Sequence, residues 1–208
     1  RVHVQLDERS AGFMALGLGL ATGRPAVVVT TSGTAAAELH PAVVEASHAG
    51  VPLLACTADR PPELRDVGAP QTIDQAQLFG SAVRWFTDPG PPVAHLAHTW
   101  RSLASRAVIE AVGPPPGPVH LNLPFREPLV DRPSALPPGR AGGRPWHDVA
   151  PAPARADHDG IASVAARLRR RTGVVMAGAG IEQPEGVLVL AHTLGWPVLA
   201  DPRSGCRV

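Results

Sequence analysis

The stretch Val2-His3-Val4-Gln5-Leu6-Asp7-Glu8-Arg9-Ser10 decides the fold of this 208-residue chain. Its first five residues predict a short β-strand, and an apolar helical pattern begins directly after the acidic pair. Glu8 is therefore predicted where a strand leads into the first turn of a helix, at the edge where open α/β sheets bind ligands. The residues alone also fit a simpler interpretation, in which Asp7 caps the helix and Glu8 offsets its dipole.

The composition argues against several classes of function. The 19 basic residues and 18 acidic residues nearly cancel, which argues against binding to nucleic acid or to a membrane surface. The two cysteines suggest no disulfide framework, and no apolar run reaches the roughly 18 residues of a membrane span. We therefore expect a cytoplasmic protein that is not inserted in a membrane.

Strands and helices alternate along the first part of the chain. Besides residues 2–6, the apolar runs predict strands at 26–30, 51–57, 82–86 and 118–123. The predicted helices lie at 10–22, 35–48, 76–80 and 93–112. The continuous apolar run at 26–30 is typical of a strand covered on both faces. This alternation predicts an α/β fold with a mostly parallel sheet flanked by helices.

A stretch rich in Pro, Gly, Ala and Arg separates this first domain, residues 1–127, from a second α/β unit. We interpret residues 128–157 as a linker, because they are too many for a structureless loop inside a compact domain. The second unit, residues 158–208, has predicted helices at 158–170 and 184–194 and predicted strands at 173–177 and 197–200. Both chain ends lie close to strands, so we expect an internal fragment with an exposed sheet edge.

Three glycines, Gly12, Gly17 and Gly19, interrupt the first predicted helix. Glycine lowers helix propensity, so we expect another backbone or a ligand to pack closely against this helix. The glycines lie inside the helix and do not form a dinucleotide-binding turn. On a later helix, His95 and His98 have no third ligand beside them, and no metal site is expected in this chain.

Two of the predicted strand ends carry groups suited to a ligand. The turn Thr31-Ser32-Gly33-Thr34 offers hydroxyls and backbone N–H groups, which suit ligand binding and ordinary helix capping about equally. Arg60 follows the next strand and precedes two prolines. Its guanidinium suits a carboxylate ligand, and the alternative is a surface ion pair with Asp59 or Glu63.

Together these motifs resemble one family of thiamine-diphosphate enzymes, the 2-succinyl-5-enolpyruvyl-6-hydroxy-3-cyclohexene-1-carboxylate synthases of menaquinone biosynthesis. The resemblance rests on residues 7–10, 31–35, 57–64 and 71–75, and Ala-Asp-Arg-Pro-Pro-Glu-Leu at 58–64 is its most specific part. The segment 195–205 resembles the family's central domain. The resemblance implies that the first domain is most of a pyrimidine-binding domain and the second unit the beginning of the central domain.

The resemblance implies a role for each candidate site residue. Glu8 would be the catalytic carboxyl group, hydrogen-bonded to the aminopyrimidine ring of thiamine diphosphate so that the cofactor's reactive carbon loses its proton. Ser32, Gly33 and Thr34 would line the pyrimidine end of the cofactor. Arg60 and Gln71 would bind carboxylate and hydroxyl groups of the substrates.

The family reaction joins a decarboxylation to the formation of a carbon–carbon bond. 2-Oxoglutarate loses CO₂, and the resulting succinyl carbanion equivalent adds to isochorismate. The resemblance also implies Mg²⁺, with ligands in a C-terminal domain outside this chain, and a homodimer or dimer of dimers with the cofactor at the subunit interface. The fragment alone is expected to be inactive.

The sequence departs from the family pattern at three positions. Pro70 replaces an asparagine, which removes a polar side chain and a backbone donor from the substrate loop. Glu38 and His40 replace an asparagine and a tyrosine, and we interpret both as tolerated variation in packing.

Two other interpretations stay open. One is a different thiamine-diphosphate enzyme, of the acetolactate synthase or 2-oxoacid decarboxylase type, which shares the strand-end glutamate. The other is a non-catalytic α/β module that binds a ligand or dimerises, since the glycine-rich helix and the apolar strands suit that role equally well.

Overall fold

The computed structural model describes residues 1–130, 138–148, 157–181 and 183–207. The chain forms two compact units, Arg1–Ala150 and Pro151–Val208. The division between them falls inside the predicted linker, of which residues 131–137 and 149–156 lie outside the described part of the chain.

The first unit is built on a four-stranded sheet. Its strands are β1 Ala26–Thr30, β2 Leu53–Asp59, β3 Trp85–Thr87 and β4 Pro118–Pro124. They lie in the order β1-β2-β4-β3, and every neighbouring pair is parallel. The predicted α/β fold with a mostly parallel sheet is therefore confirmed.

Helices cover both faces of this sheet. They are α1 Glu8–Thr22, α2 Thr34–Ala37, α3 His40–Ala49 and α4 Trp100–Val112. On one face, Ala15 of α1 and Val43 of α3 share a core with Leu53 and Phe79. On the other face, Ala107 and Ala111 of α4 pack against Val119 and Leu121.

Residues 2–6 do not form the predicted strand. Val2, Val4 and Leu6 are almost fully exposed, and no described strand pairs with them. A strand needs a hydrogen-bonded neighbour, so an extended segment without one is not part of a sheet.

β1 is covered on one face only, against the prediction of two. Val28 is buried against the α1 side, whereas Val27 and Val29 are exposed. The reason is the position of α4, which packs on β2, β3 and β4 but not on the edge strand β1.

The helix predicted at 35–48 is two helices, because Pro41 lies in the first turn of α3. Proline has no N–H to donate and its ring collides with the carbonyl four residues earlier, so α2 ends at Ala37.

Two further predicted helices are replaced or shortened. Residues 76–80 form turns that lead into a short 3₁₀ helix, Gly80–Ala82, because Gln77 and Gly80 have φ values of 54° and 51°, outside the helical region. The helix predicted at 93–112 begins as a 3₁₀ helix, Ala94–Thr99, before α4.

The second unit contains α5 His158–Leu168, β5 Val175–Ala177, α6 Pro184–Leu194 and β6 Val198–Ala200. β5 and β6 pair in parallel. The order and type of these elements agree with the prediction, and both cysteines, Cys56 and Cys206, are free thiols. Among the described residues, no helix has the length and apolar character needed to cross a membrane.

Candidate functional site

The predicted site residues lie toward the carboxyl edge of the first sheet. Only Gly23–Pro25 connect α1 to β1, and the two elements pack together. The 15 residues of α1 span about 22 Å, and the five residues of β1 span about 17 Å. Because the two elements run in opposite directions and have similar lengths, the first turn of α1 lies near the edge of the sheet where β1 ends.

Asp7 caps α1, as one of the two interpretations predicted. Its carboxylate accepts a hydrogen bond of 2.7 Å from the backbone N–H of Ser10, and the hydrogen bonds with Ser10 lower the pKa of Asp7. Glu8 is the first helical residue and is half-buried. Capping by Asp7 accounts for the start of the helix, and Glu8 lies in the first turn, where its negative charge also suits the helix dipole.

Ser32 and Gly33 form the turn between β1 and α2. Gly33 has φ 80° and ψ −138°, a conformation that residues with a side chain rarely adopt. A Cβ atom on Gly33 would also lie 3.1 Å from Cγ and 3.2 Å from the carbonyl oxygen of Gln71. Glycine is thus required here for conformation and for space. Thr34, which is exposed, begins α2.

Gln71 is joined to this turn by hydrogen bonds. The Ser32 hydroxyl donates a hydrogen bond of 2.9 Å to the Gln71 carbonyl oxygen. The Gln71 side-chain amide donates in return to Thr31 Oγ1 at 2.9 Å and to the Ser32 carbonyl oxygen at 3.1 Å. The structure therefore brings together two predicted sites, the Ser32–Thr34 turn and Gln71, although they are about 40 residues apart in sequence.

The guanidinium of Arg60 has no carboxylate partner among the described residues. Its Nε and Nη2 donate to the carbonyl oxygen of Pro70 at 3.3 and 3.2 Å. The two partners considered from the sequence are engaged elsewhere, Asp59 with Arg65 and Glu63 with Arg126. Arg60 is thus a half-buried cation beside the Gln71 segment.

A buried hydrogen-bond network, which the sequence analysis missed, lies beneath these residues. Gln75 is 1% exposed, and its Oε1 accepts a hydrogen bond of 2.7 Å from the Gly33 N–H. Its Nε2 donates to the Ala58 carbonyl oxygen at 3.0 Å and to Asn122 Oδ1 at 2.9 Å. This single amide therefore joins the end of β2 and β4 to the turn after β1.

The network continues through charged groups. Asn122 donates to Asp59 Oδ2 at 2.8 Å and to Asp88 Oδ2 at 3.2 Å. Arg65 Nη2 contacts the same two carboxylate oxygens at 2.8 and 2.9 Å. Burial opposes the charge on Arg65, but its hydrogen bond to Asp88 and the two negative charges outweigh burial and raise the pKa of Arg65.

His120 lies at the other end of the network. Thr57 Oγ1 donates to Asn122 Oδ1 at 3.0 Å, so the contact of 2.8 Å between Thr57 Oγ1 and His120 Nε2 requires the ring N–H as donor. In the neutral ring His120 Nδ1 is then unprotonated, and it is buried without a hydrogen-bond partner among the described residues. Burial lowers the pKa of His120 to about 4, so the ring is neutral at pH 7.

One signal in the sequence pointed to part of this network. His120 and Asn122 are two residues apart in an otherwise apolar strand, which places both on one face of the sheet and implies partners there. No comparable signal marked Gln75.

Glu8 stands apart from the cluster in this structure. No hydrogen bond in the described part of the chain joins Glu8 to the Ser32–Thr34 turn, Arg60 or Gln71. His95 and His98 are both exposed on the 3₁₀ helix, and among the described residues no group of three or more His, Cys, Asp or Glu side chains is arranged to hold a metal ion.

Residues 1–78 match the family model of the thiamine pyrophosphate enzyme, N-terminal TPP binding domain. The chain is also similar along its length to curated proteins named 2-succinyl-5-enolpyruvyl-6-hydroxy-3-cyclohexene-1-carboxylate synthase. The proteins from Thermobifida fusca and Chloroflexus aurantiacus are 47% and 51% identical over 100% of this chain, and the protein from Halobacterium salinarum is 48% identical over 99%.

The chain spans 38%, 36% and 39% of the length of these three relatives, respectively. The similarity extends over both compact units, beyond the N-terminal family match. The chain is therefore similar, over nearly its whole length, to part of the 2-succinyl-5-enolpyruvyl-6-hydroxy-3-cyclohexene-1-carboxylate synthases, and its first 78 residues match the N-terminal binding domain of thiamine pyrophosphate enzymes.

Proposed function

We propose that this chain is the pyrimidine-binding part of a transferase that decarboxylates 2-oxoglutarate and adds the succinyl carbanion equivalent to isochorismate, as a step of menaquinone biosynthesis. The observation that carries the proposal is the identity of 46–51% to synthases of the family along nearly the whole chain. The geometry of the sheet edge supports it, because the residues that the family resemblance singled out lie toward that edge.

The residues at this edge fit the pyrimidine end of thiamine diphosphate. Gly33 has no side chain, so a ligand can approach the backbone of the turn closely. Thr30 Oγ1, three residues earlier, is buried without a hydrogen-bond partner in the described structure. When bound, the cofactor supplies the stabilisation of the carbanion. Glu8 is proposed to hold a proton at the ring nitrogen, and Ser32, Gly33 and Thr34 to line the ring.

Arg60 and Gln71 are proposed to bind the substrates. Both substrates carry carboxylates, and Arg60 offers a guanidinium that no described carboxylate neutralises. The Gln71 amide nitrogen is already engaged with Thr31 and Ser32, so its Oε1 is the atom left to accept a hydrogen bond from a substrate hydroxyl.

The remaining parts of the reaction are proposed to lie outside this chain. Mg²⁺ and the diphosphate would be held by a domain beyond these residues, across the interface of a homodimer or dimer of dimers in the cytoplasm. The 208-residue chain by itself is then expected to be inactive.

The test uses the protein as its gene encodes it in full, supplied with Mg²⁺ and thiamine diphosphate. We expect CO₂ release that requires both 2-oxoglutarate and isochorismate. The variant Glu8→Gln should lower kcat by about a hundredfold or more while the cofactor still binds, because an amide cannot transfer the proton. Glu45→Gln removes an exposed carboxylate from α3 and should leave kcat unchanged.

The other outcomes are equally informative. Turnover of pyruvate without isochorismate would replace the proposal with an acetolactate synthase or decarboxylase. Cofactor binding without turnover of 2-oxoglutarate or of pyruvate would favour the non-catalytic module. Full activity of Glu8→Gln would remove Glu8 from the proton transfer.

A further inference from the structure

We propose that Gln75 is a positioning residue, which holds the Ser32–Thr34 turn in the shape that receives the pyrimidine ring and couples this turn to Arg60. The inference rests on the proposed function of that turn. Gln75 itself touches neither cofactor nor substrate, since its amide is fully engaged within the protein.

The first argument is the number and kind of contacts that Gln75 makes. The side chain is buried, and it joins the Gly33 N–H, the Ala58 carbonyl oxygen and Asn122 Oδ1 by hydrogen bonds of 2.7, 3.0 and 2.9 Å. An apolar replacement would leave the buried Gly33 N–H without this acceptor, and Asn122 Oδ1 would keep only the hydrogen bond from Thr57 Oγ1. The shortest of the three bonds is the one to the turn.

The second argument is that the turn has few other supports. In the described part of the chain no side chain caps α2, and the local support of Gly33, with its φ of 80°, is the pair of backbone hydrogen bonds from the N–H groups of Ala36 and Ala37 to its carbonyl oxygen. The Gly33 N–H has Gln75 as its hydrogen-bond acceptor, and in the described part of the chain the other side-chain hydrogen bonds of the turn join it to Gln71. The orientation of the Gly33 N–H therefore depends on Gln75.

The third argument is a continuous hydrogen-bonded path to the proposed substrate arginine. Gln75 donates to Asn122, and Asn122 donates to Asp59 Oδ2. The other oxygen of Asp59 accepts a hydrogen bond of 2.7 Å from the backbone N–H of Arg60. A displaced Gln75 would thus disturb the turn and the start of the Arg60 segment together.

The test measures binding and local protection on the protein encoded by the full gene. Thiamine diphosphate with Mg²⁺ is titrated calorimetrically into wild type, Gln75→Met and Gln75→Asn, and hydrogen exchange is followed in peptides that cover residues 31–34. Met removes the polar atoms at similar volume, and Asn keeps the amide but is one methylene too short. Gln77, two residues on, is exposed, and Gln77→Met and Gln77→Asn are the matched controls.

We expect both Gln75 variants to raise the Kd for thiamine diphosphate about tenfold and to speed exchange at residues 31–34, with the Gln77 controls equal to wild type. A purely structural role predicts a lower melting temperature with unchanged Kd and unchanged exchange at 31–34, and that result would overturn the inference while the proposed function stands. Failure of the wild type to bind thiamine diphosphate would overturn both.

Discussion

The imidazole of His120 has one tautomer fixed by its surroundings. Thr57 gives its only proton to Asn122, so His120 must donate from Nε2. The buried Nδ1 faces no acceptor in the described structure, and protonation would create a buried cation with an unsatisfied N–H. The rings of Phe79 and Phe86 lie 4.6 and 5.1 Å away, between centroids, and complete an apolar enclosure.

This enclosure predicts a specific pH dependence of stability. Between the pKa of about 4 in the folded protein and the ordinary value of 6.5, the unfolded chain binds a proton that the folded protein excludes. Stability is then full above pH 6.5 and falls as the pH decreases toward 4. Compared with His120→Gln, wild type should lose about 2–3 kcal/mol more between pH 7 and pH 4.5, measured by urea unfolding. Equal losses in the two proteins would contradict the assignment.

At the scale of elements, the three glycines of α1 have different environments. A Cβ on Gly19 would lie 2.8 Å from the Pro52 carbonyl oxygen, and a Cβ on Gly12 would lie 3.0 Å from Ala42 Cβ. Gly17 is exposed, and nothing lies within 4 Å of its Cβ position. The predicted close packing is therefore confirmed for two of the glycines, which pack α1 against Pro52, just before β2, and against α3.

A pair of alanine substitutions tests this difference. Gly17→Ala should stabilise the protein by about 1 kcal/mol, because alanine has the higher helix propensity and meets no neighbour. Gly19→Ala should destabilise it by about 1–3 kcal/mol, because a backbone oxygen cannot move aside as a side chain can. Thermal and urea unfolding of both variants would measure the effect. The same sign for both would show that α1 is not seated through Gly19.

The sequence predicted the features that depend on residues close together in the chain and missed those that depend on partners distant in sequence. The α6 bounds depend on neighbouring residues and were predicted, and the cap at Asp7 was one of the two interpretations of its stretch. The strand at 2–6 required a pairing partner that no pattern within it reveals. Gln75 was missed because its three partners come from the turn after β1, from β2 and from β4, and an amide in a polar loop carries no sign of burial.

At the scale of the whole first unit, part of the stretch interpreted as a linker packs on α4. Trp146 Nε1 donates to Ser102 Oγ at 2.7 Å, and His147 Nδ1 lies 2.8 Å from Ser105 Oγ. The Arg140 guanidinium lies 5.9 Å from the centre of the Trp146 ring. Residues 138–148 thus belong physically to the first unit, which extends the body around the sheet beyond β4.

Removal of the indole should loosen this segment without disturbing the sheet. We expect Trp146→Ala to speed hydrogen exchange in residues 138–148 and in the adjoining part of α4, since a hydrogen bond and a large contact area are lost. Exchange in β1, β2 and β4 should stay as in wild type. Arg144→Ala, an exposed change in the same segment, is the control. Unchanged exchange in 138–148 would show that Trp146 does not hold the segment.

The conformation of Gly33 also has a genetic consequence. Every single-base substitution that changes the amino acid at a glycine codon introduces a residue with a Cβ atom, unless it creates a stop. Each of those residues would be strained at φ 80° and would place its Cβ 3.1 Å from Gln71 Cγ. In a library of random point mutants selected for a functional enzyme, codon 33 should return synonymous changes alone, whereas codon 17 should accept alanine freely.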